Sequence, residues 1–193
     1  MPPNQGEWNI LKVTINNEEA DLDSQVTAIH AHLIPVPAGI ESHPIGKVLY
    51  FHARFPSNYV NNENEQPPNF VSVLFDPETN EMTQYTIPRF PAAIGVDVDP
   101  SKLFCSGHTH LADGKLLVAG GERNQPPWGS NGTKYSFLFD PSVLGDTDPQ
   151  PWTFTKNTGV ITKMNRGRWY PQLTKLHDGT VIAMSGYPEE PST

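Results

Sequence analysis

The hydrophobic positions of the chain fall into short runs separated by clusters of turn-forming residues. Short runs rich in β-branched and aromatic residues indicate strands. No stretch keeps the 3.6-residue apolar period of an amphipathic helix, so the pattern predicts an all-β chain with almost no helix. The acidic stretch 16–24 is predicted to be a loop. Strands are predicted over residues 8–15, 26–34, 47–52, 70–75, 82–87, 105–111, 116–119, 135–139, 152–154 and 181–184.

Two sequence signals repeat along the chain. Phe75-Asp76-Pro77 recurs as Phe139-Asp140-Pro141 after 64 residues, and Asp113-Gly114 recurs as Asp178-Gly179 after 65. Asp-Gly is typical of two-residue hairpin turns, in which both residues take positive φ angles. A period of four short strands joined by hairpins indicates the blades of a β-propeller.

The repeat predicts one partial β-propeller domain over residues 1–193, divided into units of about 6–95, 96–160 and 161–193. The third unit is truncated, which leaves about two and a half antiparallel blades, whereas a closed propeller needs about four to eight. Missing blades or a partner chain are therefore expected to complete the propeller and cover its strand edges.

One cysteine and one tyrosine occupy the same place in successive units. Cys105, the only cysteine, lies eight residues before Asp113, and Tyr170 lies eight residues before Asp178. A single cysteine excludes an internal disulfide and a cysteine-based zinc site. The shared position of Cys105 and Tyr170 is therefore the main functional signal.

Charge and hydropathy exclude several classes of function. The formal net charge is −8, and no cluster of Lys and Arg is present, which argues against nucleic-acid binding. No apolar run reaches the roughly 20 residues of a membrane helix, so no membrane partner is expected. The first residues lack the basic-then-apolar pattern of a secretion signal, and the compartment stays open.

Two segments carry a resemblance to a known family. One reads Phe-Cys-Ser-Gly, then an Asp-Gly hairpin that ends in Val-Ala-Gly-Gly (104–121), and the other reads Arg-Trp-Tyr-Pro, then Asp-Gly-Thr-Val-Ile (168–182). Together with Ala-Ile-His-Ala-His-Leu at 28–33, they resemble the kelch-type propeller of the copper-radical oxidases, the family of galactose oxidase and glyoxal oxidase. The likeness covers most of residues 6–188.

The resemblance implies a thioether between Cys105 Sγ and a ring carbon of Tyr170 ortho to the hydroxyl, with the Tyr170 oxygen as an equatorial copper ligand. Equivalent positions on the inner strands of neighbouring blades lie side by side, which also makes the link reachable. The implied reaction oxidises a primary alcohol, an aldehyde or a sugar with O2 and yields H2O2. A second tyrosine and two histidine ligands have no counterpart in this chain, so it is not expected to be active alone. The family also suggests secretion.

The alternative readings of these residues are structural. A lone buried cysteine usually packs as a small hydrophobe, and Tyr170 can be a packed aromatic with a hydrogen-bonded hydroxyl. A kelch-like propeller that binds protein or carbohydrate without catalysis is thus the competing hypothesis for the whole chain.

The histidines form two His-x-His pairs, His30 with His32 and His108 with His110. Residues i and i+2 of a strand share a face, so each pair can bind a metal. Their equivalence in the repeat favours a structural role instead. His108 is the histidine expected to come closest to the Cys105 site.

The neighbours of Tyr170 also carry expectations. Arg168 is expected to pair with a carboxylate or a backbone carbonyl between blades. Trp169 is expected to point away from Tyr170 and pack between sheets. In galactose oxidase an aromatic ring stacks on the cross-linked tyrosine; by spacing that position is Pro188 here, with Tyr187 beside it, and the stacking role is not carried over to either residue.

Overall fold

A computed structural model of the chain is all-β, as the apolar pattern predicts. The described residues form sixteen strands and no α-helix, with one short 3-10 turn at Pro141–Val143. No helix in the described part is long and apolar enough to cross a membrane. The structure describes residues 12–15, 18–21, 27–35, 46–54, 71–88, 103, 105–123, 131–145 and 147–187.

The first sheet contains six strands. They are β1 Lys12–Ile15, β2 Glu18–Asp21, β3 Thr27–Ile34, β4 Lys47–Arg54, β5 Val71–Asp76 and β6 Glu81–Thr86. Their order is β2-β1-β6-β5-β4-β3, and the last four form an antiparallel meander. The loop predicted over 16–24 is wrong where β2 pairs antiparallel with β1. An edge strand is stabilised by backbone pairing on one side only and tolerates charged side chains, so its composition resembles that of a loop.

The second sheet repeats the four-stranded meander. Its strands are β7 Gly107–His110, β8 Leu116–Ala119, β11 Ser136–Phe139 and β12 Trp152–Phe154, in the order β12-β11-β8-β7. A short pair, β9 Glu122–Arg123 with β10 Asn131–Gly132, lies between β8 and β11 along the chain and was not predicted. It is too short to give a hydrophobic period.

The rest of the chain forms two further hairpins. β13 Lys156–Asn157 pairs with β14 Val160–Ile161, and β15 Gln172–Lys175 pairs with β16 Val181–Met184. β15 lies beside β7 of the second sheet. The predicted strand over 181–184 matches β16 residue for residue.

The two large sheets pack face to face through an apolar core. The indole N–H of Trp152 donates to Ser72 Oγ across this interface at 2.7 Å, and both residues are buried. The opposite face of the second sheet contacts the β15–β16 hairpin, because Gly107 lies against Pro171 and Leu173. Three successive units are thus stacked in chain order. The core residues are Ile34, Leu49, Phe51, Leu74, Ile87, Leu103, Leu116, Val118, Tyr135, Phe137, Phe139 and Trp152.

The repeated Phe-Asp-Pro motifs end equivalent strands in equivalent ways. Asp76 and Asp140 each accept the backbone N–H of the residue two positions on, at 2.9 and 3.0 Å. Lys47 lies 3.0 Å from Asp76, and Lys115 lies 3.5 Å from Asp140. Lys47 belongs to β4, which pairs with β5, and Lys115 directly precedes β8, which pairs with β11, so the sequence repeat is also a structural repeat.

The Asp-Gly hairpins differ from the predicted two-residue turn. In both turns only the glycine has positive φ, 84° at Gly114 and 85° at Gly179. The Gly114 N–H donates to the Leu111 carbonyl, and the Gly179 N–H donates to the Leu176 carbonyl. These are three-residue loops in which one left-handed glycine follows a tight turn. Aspartate therefore serves as a side-chain acceptor, since Asp113 and Asp178 accept the N–H two residues on.

Candidate functional site

Cys105 lies in a turn just before β7, not in the strand itself. The Ser106 N–H donates to the Leu103 carbonyl at 3.2 Å and closes the turn, and the Ser106 hydroxyl donates to the same oxygen at 2.8 Å. Cys105 has φ 60°, a left-handed value that normally falls to glycine or asparagine in such a turn. The side chain is fully buried. The strand predicted over 105–111 therefore begins at Gly107 instead.

Tyr170 has the same backbone conformation as Cys105 and lies just before β15. Its φ is 59°, against 60° at Cys105. Three further positive-φ positions repeat at the same spacing of 65 residues: Gly114 with Gly179, Gly120 with Ser185, and Gly121 with Gly186. The equivalence of Cys105 and Tyr170, inferred from their distance to an Asp-Gly turn, thus holds for the backbone as well.

Backbone hydrogen bonds hold Tyr170 against Cys105. The Tyr170 N–H donates to the Cys105 carbonyl at 2.8 Å. On the preceding residues, the Arg168 N–H donates to the Thr133 carbonyl, and the Arg168 carbonyl accepts the Gly121 N–H. Trp169 pairs in both directions with Tyr187, at 3.0 and 2.9 Å. The segment 168–170 therefore joins the second unit to the third.

Glycines form the seat on which segment 168–171 lies. A Cβ at Gly107 would meet the Pro171 carbonyl oxygen at 2.5 Å, and one at Gly120 would meet the Arg168 carbonyl oxygen at 2.5 Å. A Cβ at Gly132 would lie 2.2 Å from the Arg168 carbonyl carbon. These distances exclude any side chain, so the glycines allow the backbone that carries Tyr170 to approach closely.

The two candidate residues differ in exposure. Cys105 is 0% exposed, whereas 56% of Tyr170 is accessible. The predicted pair is thus brought together at the backbone, with a buried thiol on one side and a phenol open to solvent on the other. Cys105 precedes β7 and Tyr170 precedes β15, so turn geometry rather than strand pairing sets their relative position.

The surroundings of Tyr170 correct the expectations for Trp169 and Arg168. The Trp169 ring lies 4.9 Å from the Tyr170 ring, centroid to centroid, and 6.1 Å from the Tyr187 ring. Trp169 therefore does not point away, because a left-handed residue breaks the alternation of an extended strand. Arg168 Nη1 donates to the Ser185 carbonyl, within the third unit rather than between units. Pro188 lies outside the described residues.

The histidines meet across the two large sheets. Strand pairing makes Val48 equivalent to Leu116, because each lies opposite the phenylalanine of a Phe-Asp-Pro motif. Leu33, paired with Val48, is then equivalent to His110, paired with Leu116. The two His-x-His pairs are consequently not equivalent, which corrects the equivalence inferred from the sequence. A shift of one residue places them on opposite faces of their own sheets, and these faces pack together.

The His cluster, comprising His30, His32, His108 and His110, lies at this interface. His32 Nδ1 is 3.0 Å from His108 Nδ1, and His110 Nε2 is 3.0 Å from the Leu33 carbonyl oxygen. Burial, with a smaller effect of His110 and then of His108, lowers the pKa of His32 to about 4. Burial and His110 also lower the pKa of His108.

The His cluster is separate from the Cys105 turn. His108 follows Gly107 directly, and consecutive strand residues point to opposite faces. Gly107 faces Pro171, whereas His108 faces His32 and Phe51. The expectation that His108 approaches the Cys105 site is therefore wrong. Over the described ranges, no group of three or more His, Cys, Asp or Glu side chains is placed to hold a metal ion.

Sequence reasoning missed the glycine seat and the contact between sheets. Val-Ala-Gly-Gly at 118–121 was used as a family motif, but the repeated glycines were themselves a signal of close backbone approach. Comparison with known proteins adds no assignment: no family model matches the chain, and a search of curated proteins found no match.

Proposed function

We propose that this chain is the N-terminal propeller part of a copper-radical oxidase that oxidises a primary alcohol or an aldehyde with O2 and releases H2O2. The observation that carries the proposal is the hydrogen bond from the Tyr170 N–H to the Cys105 carbonyl at 2.8 Å between two left-handed residues. Non-glycine residues seldom hold this conformation, and such residues cluster at functional sites. Here the conformation coincides with the one cysteine and the tyrosine that the family motifs single out.

The stacking of the units supports the propeller. Two four-stranded meanders and the β15–β16 hairpin follow one another face to face, as consecutive kelch-type blades do. The outward face of the first sheet carries Val48, Tyr50 and Met82 around Phe75. Its counterpart in the second sheet packs against the first sheet, so in this proposal a further blade covers it.

The residues present fit part of a copper site. In this proposal the Tyr170 oxygen would be a copper ligand, and the family's second tyrosine and two histidines would come from later blades and the domain that follows. Copper, when bound, accepts one of the two electrons that oxidation of an alcohol requires. Reversible one-electron oxidation of the cross-linked Tyr170 phenol provides for the second electron, and the thioether makes oxidation of the phenol easier.

Formation of the thioether has a defined balance. The Cys105 thiol loses its hydrogen, the ring carbon ortho to the Tyr170 hydroxyl loses its own, and a C–S bond forms. Two electrons and two protons pass to O2, which becomes H2O2. The turn at Cys105 and the seat under segment 168–171 hold the two residues together for this step.

The intact mass of the protein tests the proposal. After copper loading in air, the mass of the full-length protein is expected to fall by two hydrogens, and oxidation of a primary alcohol or an aldehyde is expected to yield H2O2. Cys105→Ser and Tyr170→Phe remove the sulfur and the hydroxyl respectively, and neither variant is expected to lose mass. An unchanged mass in the copper-loaded protein would overturn the proposal and leave the non-catalytic kelch-like binding module.

A further inference from the structure

Two histidines from different sheets point the same type of nitrogen at each other. His32 lies on β3 of the first sheet and His108 on β7 of the second, and their Nδ1 atoms are 3.0 Å apart. The rings are nearly perpendicular, at 86°, with centroids 4.9 Å apart. Without a metal, one Nδ1 must carry a proton and donate to the lone pair of the other.

The same spacing suits two ligands of one metal ion. Metal–nitrogen bonds of about 2.0–2.1 Å at a right angle place their nitrogens about 2.9 Å apart, and tetrahedral bonds place them about 3.4 Å apart. The observed 3.0 Å is close to the right-angle value. Square-planar and octahedral ions such as Cu²⁺ and Ni²⁺ use this angle, whereas Zn²⁺ prefers the tetrahedral one.

We propose that His32 and His108 together bind a divalent transition-metal ion of the nickel or copper type through their two Nδ1 atoms, with solvent completing the coordination. Both rings are half-buried, so water can reach the ion. Two protein ligands suffice for this site, consistent with the lack of any larger ligand group in the described part of the chain.

The protonation state of the pair favours the metal. Metal ligation needs neutral imidazole, and the Nδ1–Nδ1 hydrogen bond already requires a lone pair on one of the two nitrogens. The ring that donates in the metal-free protein moves its proton to Nε2 on binding. Metal binding therefore requires no net release of a proton at neutral pH.

The His110 ring lies beside the pair, and its contact with a carbonyl oxygen fixes its tautomer. Its Nε2 lies 3.0 Å from the Leu33 carbonyl oxygen, which can only accept, so Nε2 carries the proton and Nδ1 the lone pair. Donation of one ring N–H to a carbonyl is the usual arrangement of a metal-binding histidine. His110 lies 4.4 Å from His32 between ring centroids and is not one of the two proposed ligands.

This site is independent of the proposed oxidase centre. The pair faces the first sheet, whereas Gly107 and the Tyr170 segment lie on the opposite face of the second sheet. Nickel is therefore a better probe than copper, because copper bound by His32 and His108 would be hard to distinguish from copper bound at Tyr170.

Calorimetric titration of the chelator-treated 193-residue chain with Ni²⁺ tests the inference. One ion per chain is expected to bind. His32→Ala and His108→Ala should each weaken binding by at least about tenfold, since even loss of a group that only supports a ligand costs about 10–100-fold. The control His177→Ala, in an exposed turn, should bind as the unaltered protein does.

Imidazole ¹⁵N spectra of the unaltered protein give an answer even if a variant does not fold. Ni²⁺ is expected to broaden the Nδ1 signals of His32 and His108 first. Three results would overturn the inference: no Ni²⁺ binding by the unaltered chain, binding in the two histidine variants as tight as in the unaltered chain, or broadening centred on His177.

Discussion

The β7–β8 and β15–β16 hairpins share one local design and differ in burial. Both close with a left-handed glycine after aspartate, and both follow a left-handed residue, Cys105 or Tyr170. Leu116 in β8 is 0% exposed, whereas Ile182 in β16 is 41% exposed. The local sequence therefore sets the backbone of each hairpin, and the presence of a neighbouring sheet sets how much stability its side chains contribute.

The largest expected effect is on the free energy of unfolding, when a buried side chain of one hairpin and an exposed side chain of the other are shortened. Leu116→Ala should lower the free energy of unfolding by about 2–5 kcal/mol, because it leaves a cavity between two packed sheets. Ile182→Ala removes a similar side chain from an exposed position and should cost less than about 1 kcal/mol. Chemical denaturation measures both. Equal costs would show that the third unit is as tightly packed as the second.

A smaller effect is expected where the hairpins touch. Gly107→Ala places a Cβ 2.5 Å from the Pro171 carbonyl oxygen and should cost about 1–3 kcal/mol, because the third unit must move away. Gly145→Ala is the matched control, since a Cβ there meets nothing within 4 Å. Denaturation midpoints of the two variants test this, and a harmless Gly107→Ala would mean that segment 168–171 is not seated on β7.

The hydrogen bond from the Trp152 indole to Ser72 links the two large sheets. Ser72→Ala leaves the buried Trp152 indole N–H without its acceptor and should cost about 1–2 kcal/mol. Ser142→Ala, at an exposed turn, should change the free energy of unfolding by about 0.5 kcal/mol or less. If both serine variants unfold at the same denaturant concentration, the hydrogen bond does not stabilise the interface.

The smallest expected effect is a pH dependence of the interface between the large sheets. The pKa of His32 is about 4 in the folded chain and ordinarily 6.5, so the unfolded chain binds more protons between these values. Stability should therefore be full above about pH 6.5 and fall as the pH decreases towards 4. Melting temperatures measured with chelator present test this, and His32→Gln should reduce the slope. The pKa values of Asp76 and Asp140 are lowered from the usual range of a carboxyl, so their contributions to stability are lost at lower pH than that of His32.

The sequence allowed the strands and the repeat to be predicted because both depend on local signals. Apolar runs mark β16 and β12 residue for residue, and the Asp-Gly and Phe-Asp-Pro motifs mark equivalent turns. The edge strand β2 escaped prediction because its acidic sequence is typical of a loop, whereas its backbone pairs with β1.

The candidate site was predictable only in part. The equal spacing of Cys105 and Tyr170 from their turns indicated equivalent positions, and the structure shows equal φ angles there. The contact between His32 and His108 depends on a one-residue difference in strand pairing, which no local pattern reveals. The glycine seat likewise depends on how two units dock.

Mass spectrometry of tryptic peptides tests the link between Cys105 and Tyr170 most directly. Cleavage after Lys and Arg releases Cys105 in peptide 103–115 and Tyr170 in peptide 169–175. After copper loading of the full-length protein in air, the expected product is one linked pair, two hydrogens lighter than the sum of its peptides, with fragments that place the bond at Cys105 and Tyr170. Recovery of both peptides separately and at full mass would contradict the proposed cross-link.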